Sequence, residues 1–276
     1  ANLLDKDLGT LNVAVTGAVY DYAKVAVTPS TLAFGNVRTG TAATVAVTNP
    51  VTTDALYQDS LDVVASTANG NLRLTDPANL LASQSGNVGV KAHLAGSLDA
   101  TVALALTSDT NGVSGLTNLG LTGQSFGVTG AAYDYAKVAV TNAPLAFGNV
   151  RKGATVANQT LTFGNTTVTD ANYQDALLVA TTANNSKLTA TGATIAAGTT
   201  GNLTVAISTA TAGSLADTLA VSQTSKAAAS GLLDKDLGTL NVAVTGAVYD
   251  LANATVAGSL DLGNVRTTAT GKINVA

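Results

Sequence analysis

The stretch Leu232-Leu-Asp-Lys-Asp-Leu-Gly-Thr-Leu-Asn-Val-Ala-Val-Thr-Gly-Ala-Val-Tyr-Asp250 repeats Leu3 to Asp21 without a change. A related copy lies between them, where Val128 to Val140 matches Val15 to Val27 closely. Other segments return on the same period. Leu32-Ala-Phe-Gly-Asn-Val-Arg38 comes back as Leu145 to Arg151, and again as Leu260-Asp-Leu-Gly-Asn-Val-Arg266. Tyr57-Gln-Asp59 returns as Tyr173-Gln-Asp175, and Ala95-Gly-Ser-Leu98 as Ala212-Gly-Ser-Leu215. The period is about 115 residues, too long for a solenoid repeat of ~20–50 residues. It is the size of a β-sandwich domain, ~100 residues. The repeat frames the 276 residues as follows. Residues 1–20 read as the terminal strand of a preceding repeat. Residues 21–132 and 133–248 read as two whole units, and 249–276 as the opening strands of a further, incomplete one.

Composition points to strands inside each unit. All seventeen acids are Asp, and Glu and Met are absent, so few strong helix formers remain beyond Ala and Leu. Val and Thr, stiff at χ1, suit a pleated surface. Apolar residues alternate with polar ones at Val45 and Val47, at Leu72 and Leu74, at Val88 and Val90, and at Val102, Leu104 and Leu106. Leu161 and Phe163, Leu203, Val205 and Ile207, and Leu219 and Val221 do the same in the second unit. Period two with one apolar face marks the half-buried antiparallel strand. Turn signals such as Thr39-Gly40, Asn49-Pro50, Asn69-Gly70 and Asn111-Gly112 separate the runs. The spacing predicts seven strands in the first unit, near 24–34, 42–49, 56–66, 71–75, 87–94, 98–107 and 117–130. Lys226-Ala-Ala-Ala-Ser230 is the one local candidate for a helical turn, set against its repeat counterpart Asp109-Thr-Asn-Gly-Val113, which is a turn signal. Phe34 and Phe147 read as core plugs. Tyr20, Tyr133 and Tyr249 read as rings capping each unit at its linker.

At Leu32-Ala-Phe-Gly-Asn-Val-Arg-Thr-Gly40, followed by Ala43-Thr-Val-Ala-Val-Thr-Asn49, the unit resembles the bacterial choice-of-anchor D domain, related to the ASH-type immunoglobulin-like domains. The closing Val128-Thr-Gly130 and Val244-Thr-Gly246 steps belong to the same pattern. The second unit departs from it at Gly164-Asn165, and the third has Leu262 where the others have Phe. The resemblance implies tandem immunoglobulin-like sandwiches in large secreted or surface-anchored proteins, and it carries no catalytic residues. The expected fold is therefore all-β, with tandem seven-stranded sandwiches strung into a rod.

Composition also limits function. No run approaches the ~18 apolar residues of a membrane span. Lys and Arg number thirteen in a chain of net charge −4, which argues against phosphate-driven nucleic-acid binding. The absence of Cys removes thiol nucleophiles, disulfides and Cys-ligated metals, and fits an oxidising or extracellular location. A Ser-His-Asp triad would need His93, the only histidine, which the second unit does not repeat. His93 reads as a solvent-facing strand residue. Carboxylates at Asp5 and Asp7, and at Asp234 and Asp236, share the spacing of a Ca²⁺ pair, against an ordinary charged loop. Asp59 and Asp62 are a formal glycosidase pair that nothing singles out. Asn158, Asn165, Asn184, Asn202 and Asn253 open glycosylation sequons. No catalytic, cofactor-binding or metal residue is assigned, and no cofactor is expected. The function read from this is a structural repeat segment of a bacterial extracellular fibre, adhesin or surface layer. It self-associates through strand edges or strand complementation. The alternative is a glycan- or calcium-binding module on the same scaffold.

Overall fold

The computed structural model describes residues 7–113, 115–141 and 143–255, together with residue 264. The chain divides into two compact units, Ala1–Asp134 and Tyr135–Ala276. The first contains β1 (Ala26–Thr28), β2 (Thr31–Arg38), β3 (Ala42–Thr48), β4 (Ser60–Ser66), β5 (Leu72–Thr75), β6 (Ser85–Ala92), β7 (Gly96–Ser97), β8 (Ala100–Asp109) and β9 (Leu119–Tyr133). The second contains β10 (Val138–Thr141), β11 (Leu145–Arg151), β12 (Gln159–Asn165), β13 (Ala176–Thr182), β14 (Leu188–Ala190), β15 (Ala193–Ile195), β16 (Thr200–Ile207), β17 (Gly213–Ser214), β18 (Asp217–Lys226) and β19 (Lys235–Tyr249). Among the described residues the only helical elements are two single 3₁₀ turns, Ala55–Tyr57 and Ala171–Tyr173. No helix there is long and apolar enough to cross a membrane.

Each unit is a two-sheet sandwich. In the first, one sheet runs β1-β3-β6-β5 and the other β2-β9-β8-β4, with β7 added to β9. In the second, β10-β12-β16-β14 faces β11-β19-β18-β13-β15, with β17 added to β19. This is the all-β sandwich architecture that the alternation and the period imply. The inner faces follow period two. Val102, Leu104 and Leu106 point inward from β8 and meet Val45, Val47, Leu61 and Phe126 in the first core. Phe163, Leu161, Leu177, Leu203 and Leu219 fill the second. Phe147 is buried in the plug position, whereas Phe34 is only half-buried against its core.

The seven antiparallel strands expected per unit are nine in the first and ten in the second, because sheet crossings and short edge pairings divide the runs, and β2 with β9 and β11 with β19 pair parallel. Three local expectations also change. The run 24–34 is two strands, because Pro29 has no N–H to continue a ladder. The chain changes sheets there: β1 pairs with β3, and β2 pairs with β9. The same crossing occurs at Pro144, and both prolines follow a cis peptide bond. Residues 226–230 close β18 in a turn rather than a helix, with the Ser230 amide donating to the Ala227 carbonyl. His93 lies one residue beyond β6 and is exposed.

The long last strand closes each sandwich. β9 lies between β8, antiparallel, and β2, parallel. β19 lies in the same way between β18 and β11. The glycine of the Val-Thr-Gly step makes the parallel contact close. A Cβ on Gly130 would stand 2.4 Å from the Gly35 carbonyl oxygen, and one on Gly246 would stand 2.6 Å from that of Gly148. Both glycines also hold positive φ, +134° and +146°, which L side chains rarely adopt.

Residues 7–20 share their sequence with 236–249 but form no strand. The pairing begins only at Asp21, through an isolated bridge to Gln58. The opening strands expected over 249–276 fall almost wholly outside the described residues.

Candidate functional site

Both units concentrate their buried polar side chains at one pole, where the chain enters the first sheet. The repeated Tyr-Gln-Asp triplet is part of this cluster, together with an asparagine and a serine that strand geometry places beside it. In the first unit Asn49 directly follows β3 and is fully buried. Its Nδ2 donates to the carbonyls of Asp59 (3.0 Å) and Leu80 (3.1 Å). Its Oδ1 accepts from the Lys24 amide (3.0 Å) and from Gln58 Nε2 (2.9 Å). Gln58 also donates to the Pro50 carbonyl and accepts from the Thr52 amide. Ser108 sits on the inward face of β8, two residues beyond Leu106. Its hydroxyl accepts from the Ala23 amide (2.8 Å) and donates to Asp59 Oδ2 (2.8 Å).

The second unit builds the same network from its own copies. Asn165 Nδ2 donates to the carbonyls of Asp175 and Ile195, and its Oδ1 accepts from the Lys137 amide and Gln174 Nε2. Gln174 donates to the Thr166 carbonyl and accepts from the Val168 amide. Ser225 accepts from the Ala136 amide (2.9 Å) and donates to Asp175 Oδ2 (2.7 Å). Asp54 and Asp170 each cap the adjacent 3₁₀ turn. A buried amide that makes four hydrogen bonds orders the backbone around it. Here it fixes the incoming segment (Lys24, Lys137), the end of an inner strand, and the strand that follows the 3₁₀ turn.

The arrangement is built for positioning. Asp59 and Asp175 are buried and held by serine hydroxyls, not paired with a second carboxylate across a cleft. Asp62 is engaged elsewhere, accepting from Asn79 Nδ2. Asp59, whose Oδ1 is buried with no hydrogen-bond partner, is one of the residues lining a cleft of about 350 Å³, with Tyr20, Gln58 and Thr110. Tyr20 packs edge-on against Tyr57, with ring centroids 5.5 Å apart.

The other candidates fall apart in space. Asp234 is engaged by Lys226 Nζ and the Ala227 amide, and Asp236 accepts from the Gly238 amide. Asp7 accepts from the Gly9 amide, while Asp5 lies outside the described residues. Among the described residues, no group of three or more His or Asp side chains is placed to hold a metal ion. Asn165 cannot serve as a glycan acceptor, since its amide is buried and fully bonded.

At the far end of each closing strand the following Asp is held by the turn after the parallel strand. Thr39 donates to Asp134 Oδ1 (2.7 Å), and Lys152 pairs with Asp250 (2.9 Å). The Lys152 hydrogen bond, aided by the Leu251 amide, lowers the pKa of the Asp250 carboxyl below the ordinary value. The folded pKa lies below the unfolded one, so this contact contributes above the usual carboxylate range. It is lost as pH falls through the folded value.

The Asn and Ser roles were not apparent in the sequence. The signal was available in the register: Thr107-Ser108 and Thr224-Ser225 occupy the same place in the repeat, and alternation from Leu104 and Leu106 puts Ser108 on the core face.

No family model matches the chain, and no curated protein does. Solved structures similar to it include domains 4–9 of the surface layer protein SbsC, at 17% identity and a TM-score of 0.25, covering 86% of this chain and 33% of that one. The D00-D0 domain of intimin is similar at 12% identity and a TM-score of 0.28, over 79% of this chain and 99% of that one. A mutant of the CFA/I enterotoxigenic E. coli adhesin CfaE is similar at 8% identity and a TM-score of 0.31, over 87% and 90%. The chain spans about a third of the surface layer structure. At these identities and TM-scores the similarity assigns no function.

Proposed function

We propose that the chain is a structural repeat segment of a bacterial extracellular fibre, adhesin or surface layer, with repeat units framed at 21–132 and 133–248. The observation that carries this reading is the duplicated polar network. The buried Asn, Gln and Ser side chains bond backbone in the same way in both units, and Asp59 and Asp175 hold the serine hydroxyls. An enzyme would instead differentiate one copy to hold reacting groups, whereas His93, the one such residue that is not repeated, stands exposed outside the network. The chain is therefore read as non-enzymatic. The absence of Cys fits an extracellular setting. With 11% charged residues and no Glu, neighbouring copies repel each other weakly. Sheet edges such as β1 and β5 carry little charge and leave hydrogen-bonding rows open to another copy.

Sedimentation velocity over a concentration series tests this. The weight-average mass is expected to rise above that of the monomer as concentration increases toward the millimolar range. A mass that stays monomeric throughout overturns the self-associating role. A calcium titration run alongside is expected to leave the melting temperature unchanged. A rise on adding Ca²⁺ would favour the binding-module reading instead.

A further inference from the structure

The first unit carries opposite charges on the outer faces of its two sheets. On the β1-β3-β6-β5 sheet, Arg73 of β5 stands directly across the ladder from Lys91 of β6. Both are exposed, and neither side chain has an ion-pair partner among the described residues. Like charges directly opposite on one sheet face repel. On the other sheet, Asp62 of β4 lies diagonally from Asp109 of β8, since Asp62 faces Thr107 and Asp109 faces Ser60. Asn79 Nδ2 donates to both carboxylates, at 2.7 and 3.4 Å, and no Lys or Arg among the described residues pairs with either. Alternation sets the directions. The flanking Leu72, Val90, Leu61 and Ser108 are buried, so the four charged side chains leave the sandwich on opposite sides.

The second unit replaces all four. Its ladder sets Thr189 across from Ala206, where the first has Arg73 and Lys91. Leu178 stands in the place of Asp62, and Lys226, paired with Asp234, in the place of Asp109. The sandwich therefore forms without these charges, and the two faces lose their opposite signs together.

We propose that the Arg73–Lys91 face of one copy docks on the Asp62–Asp109 face of a second copy, outer sheet against outer sheet. This rests on the self-associating structural role and names its contact. The chain itself supplies the complement. Diagonal acids have Cβ atoms about 7–8 Å apart and directly opposed bases about 5 Å. The long stems of Arg and Lys cover that difference, so each cation reaches one carboxylate. The residues around the charges are small: Ala42, Thr44 and Gly89 on the basic face, Ala103, Ala105 and Thr107 on the acidic one. Two sheets can therefore approach closely, and Val64, 57% exposed on the acidic face, loses water on contact. The two faces differ, so a joined pair still presents one free face of each sign and adds further copies. Exposed ion pairs are weak and screened by salt, so the contact belongs to crowded copies at low ionic strength.

The test is a charge swap on full-length chains, read by sedimentation velocity. At ~20 mM salt the parent is expected to associate, and ~500 mM salt should weaken that association about tenfold. A chain with Arg73→Asp and Lys91→Asp has two acidic faces. A chain with Asp62→Lys and Asp109→Lys has two basic ones. Each alone is expected to associate about tenfold more weakly than the parent, and an equimolar mixture of the two should regain the parental association. Reversed chains that associate as the parent does, or a mixture as dissociated as its parts, overturn the proposal and leave the broader structural role standing. A parent that stays monomeric at low salt overturns both. If Asp109→Lys disturbs its turn, seen as a lowered melting temperature, Asp62→Lys alone replaces it in the mixture, with the same outcomes. Inorganic polyphosphate probes the competing partner. Binding to the parent that Arg73→Asp and Lys91→Asp abolish, with self-association unchanged, would assign the basic face to a polyanion and overturn the proposal.

Discussion

Asn49→Ala is expected to unfold the first unit selectively. The substitution removes four hydrogen bonds at a fully buried position. It leaves the Lys24 amide, Gln58 Nε2 and two carbonyls without that partner. Each buried group left unsatisfied costs about 1–3 kcal/mol, and water entering the gap recovers part of this. A net loss of about 4 kcal/mol is expected, a large share of the ~5–15 kcal/mol that holds a domain folded. The second unit has its own copy of the network around Asn165 and should keep its transition. Calorimetry should therefore show one transition moved down by tens of degrees or lost, and one unchanged. Asn165→Ala should reverse the pattern. A small, equal shift of both transitions would mean that the network does not organise each unit separately.

The second large effect is expected at Gly130. Alanine there would force a Cβ to 2.4 Å from the Gly35 carbonyl oxygen and 2.9 Å from the Gly35 nitrogen, at a φ of +134°. Neither atom can swing aside, because both are backbone inside the parallel ladder between β2 and β9. The cost is steric and conformational together, about 3–5 kcal/mol. Hydrogen exchange should show lost protection across the ladder from Thr31 to Arg38. Gly17→Ala in the same assay should change nothing, since the same residue type there meets no neighbour. A Gly130→Ala chain as stable as the parent would contradict the close approach of the two strands.

The sequence made the strands legible because burial on one face leaves a period-two imprint. The runs at 42–49, 71–75 and 98–107 fall on β3, β5 and β8 within two residues at each end. It did not show where the chain changes sheets. Val25 and Val27 alternate at odd positions and Leu32 and Phe34 at even ones, and that slip of phase beside Pro29, which has no N–H, marks a break without saying which sheet each run joins. Reading Val-Thr-Gly as a recurring step was correct, but the need for glycine appears only when Gly130 meets Gly35 across the sheet. The candidate site was half legible. The repeated Tyr-Gln-Asp triplet drew notice, yet Asp59 could be read as a loose acid until Ser108 was placed on the inward face of β8. Residues 3–21 and 232–250 mark the limit of such reading. No property of residues 7–20 themselves distinguishes them from the closing strand over 236–249. The difference lies in β18 and β11, which flank only the second copy.

The closing strand is the core of the account: β9 and β19 make each described unit a self-contained sandwich, while residues 7–20, of the same sequence as part of β19, form no strand in this structure. Residue-resolved amide exchange by NMR on the dilute full-length chain tests it most directly. The amides of Val242 and Val244 are expected to exchange at least a thousandfold more slowly than unpaired chain, on the order of a ~4 kcal/mol local opening. Those of Val13 and Val15 should exchange within a few-fold of the unpaired rate. Equal protection of the two pairs at that dilution would contradict the account.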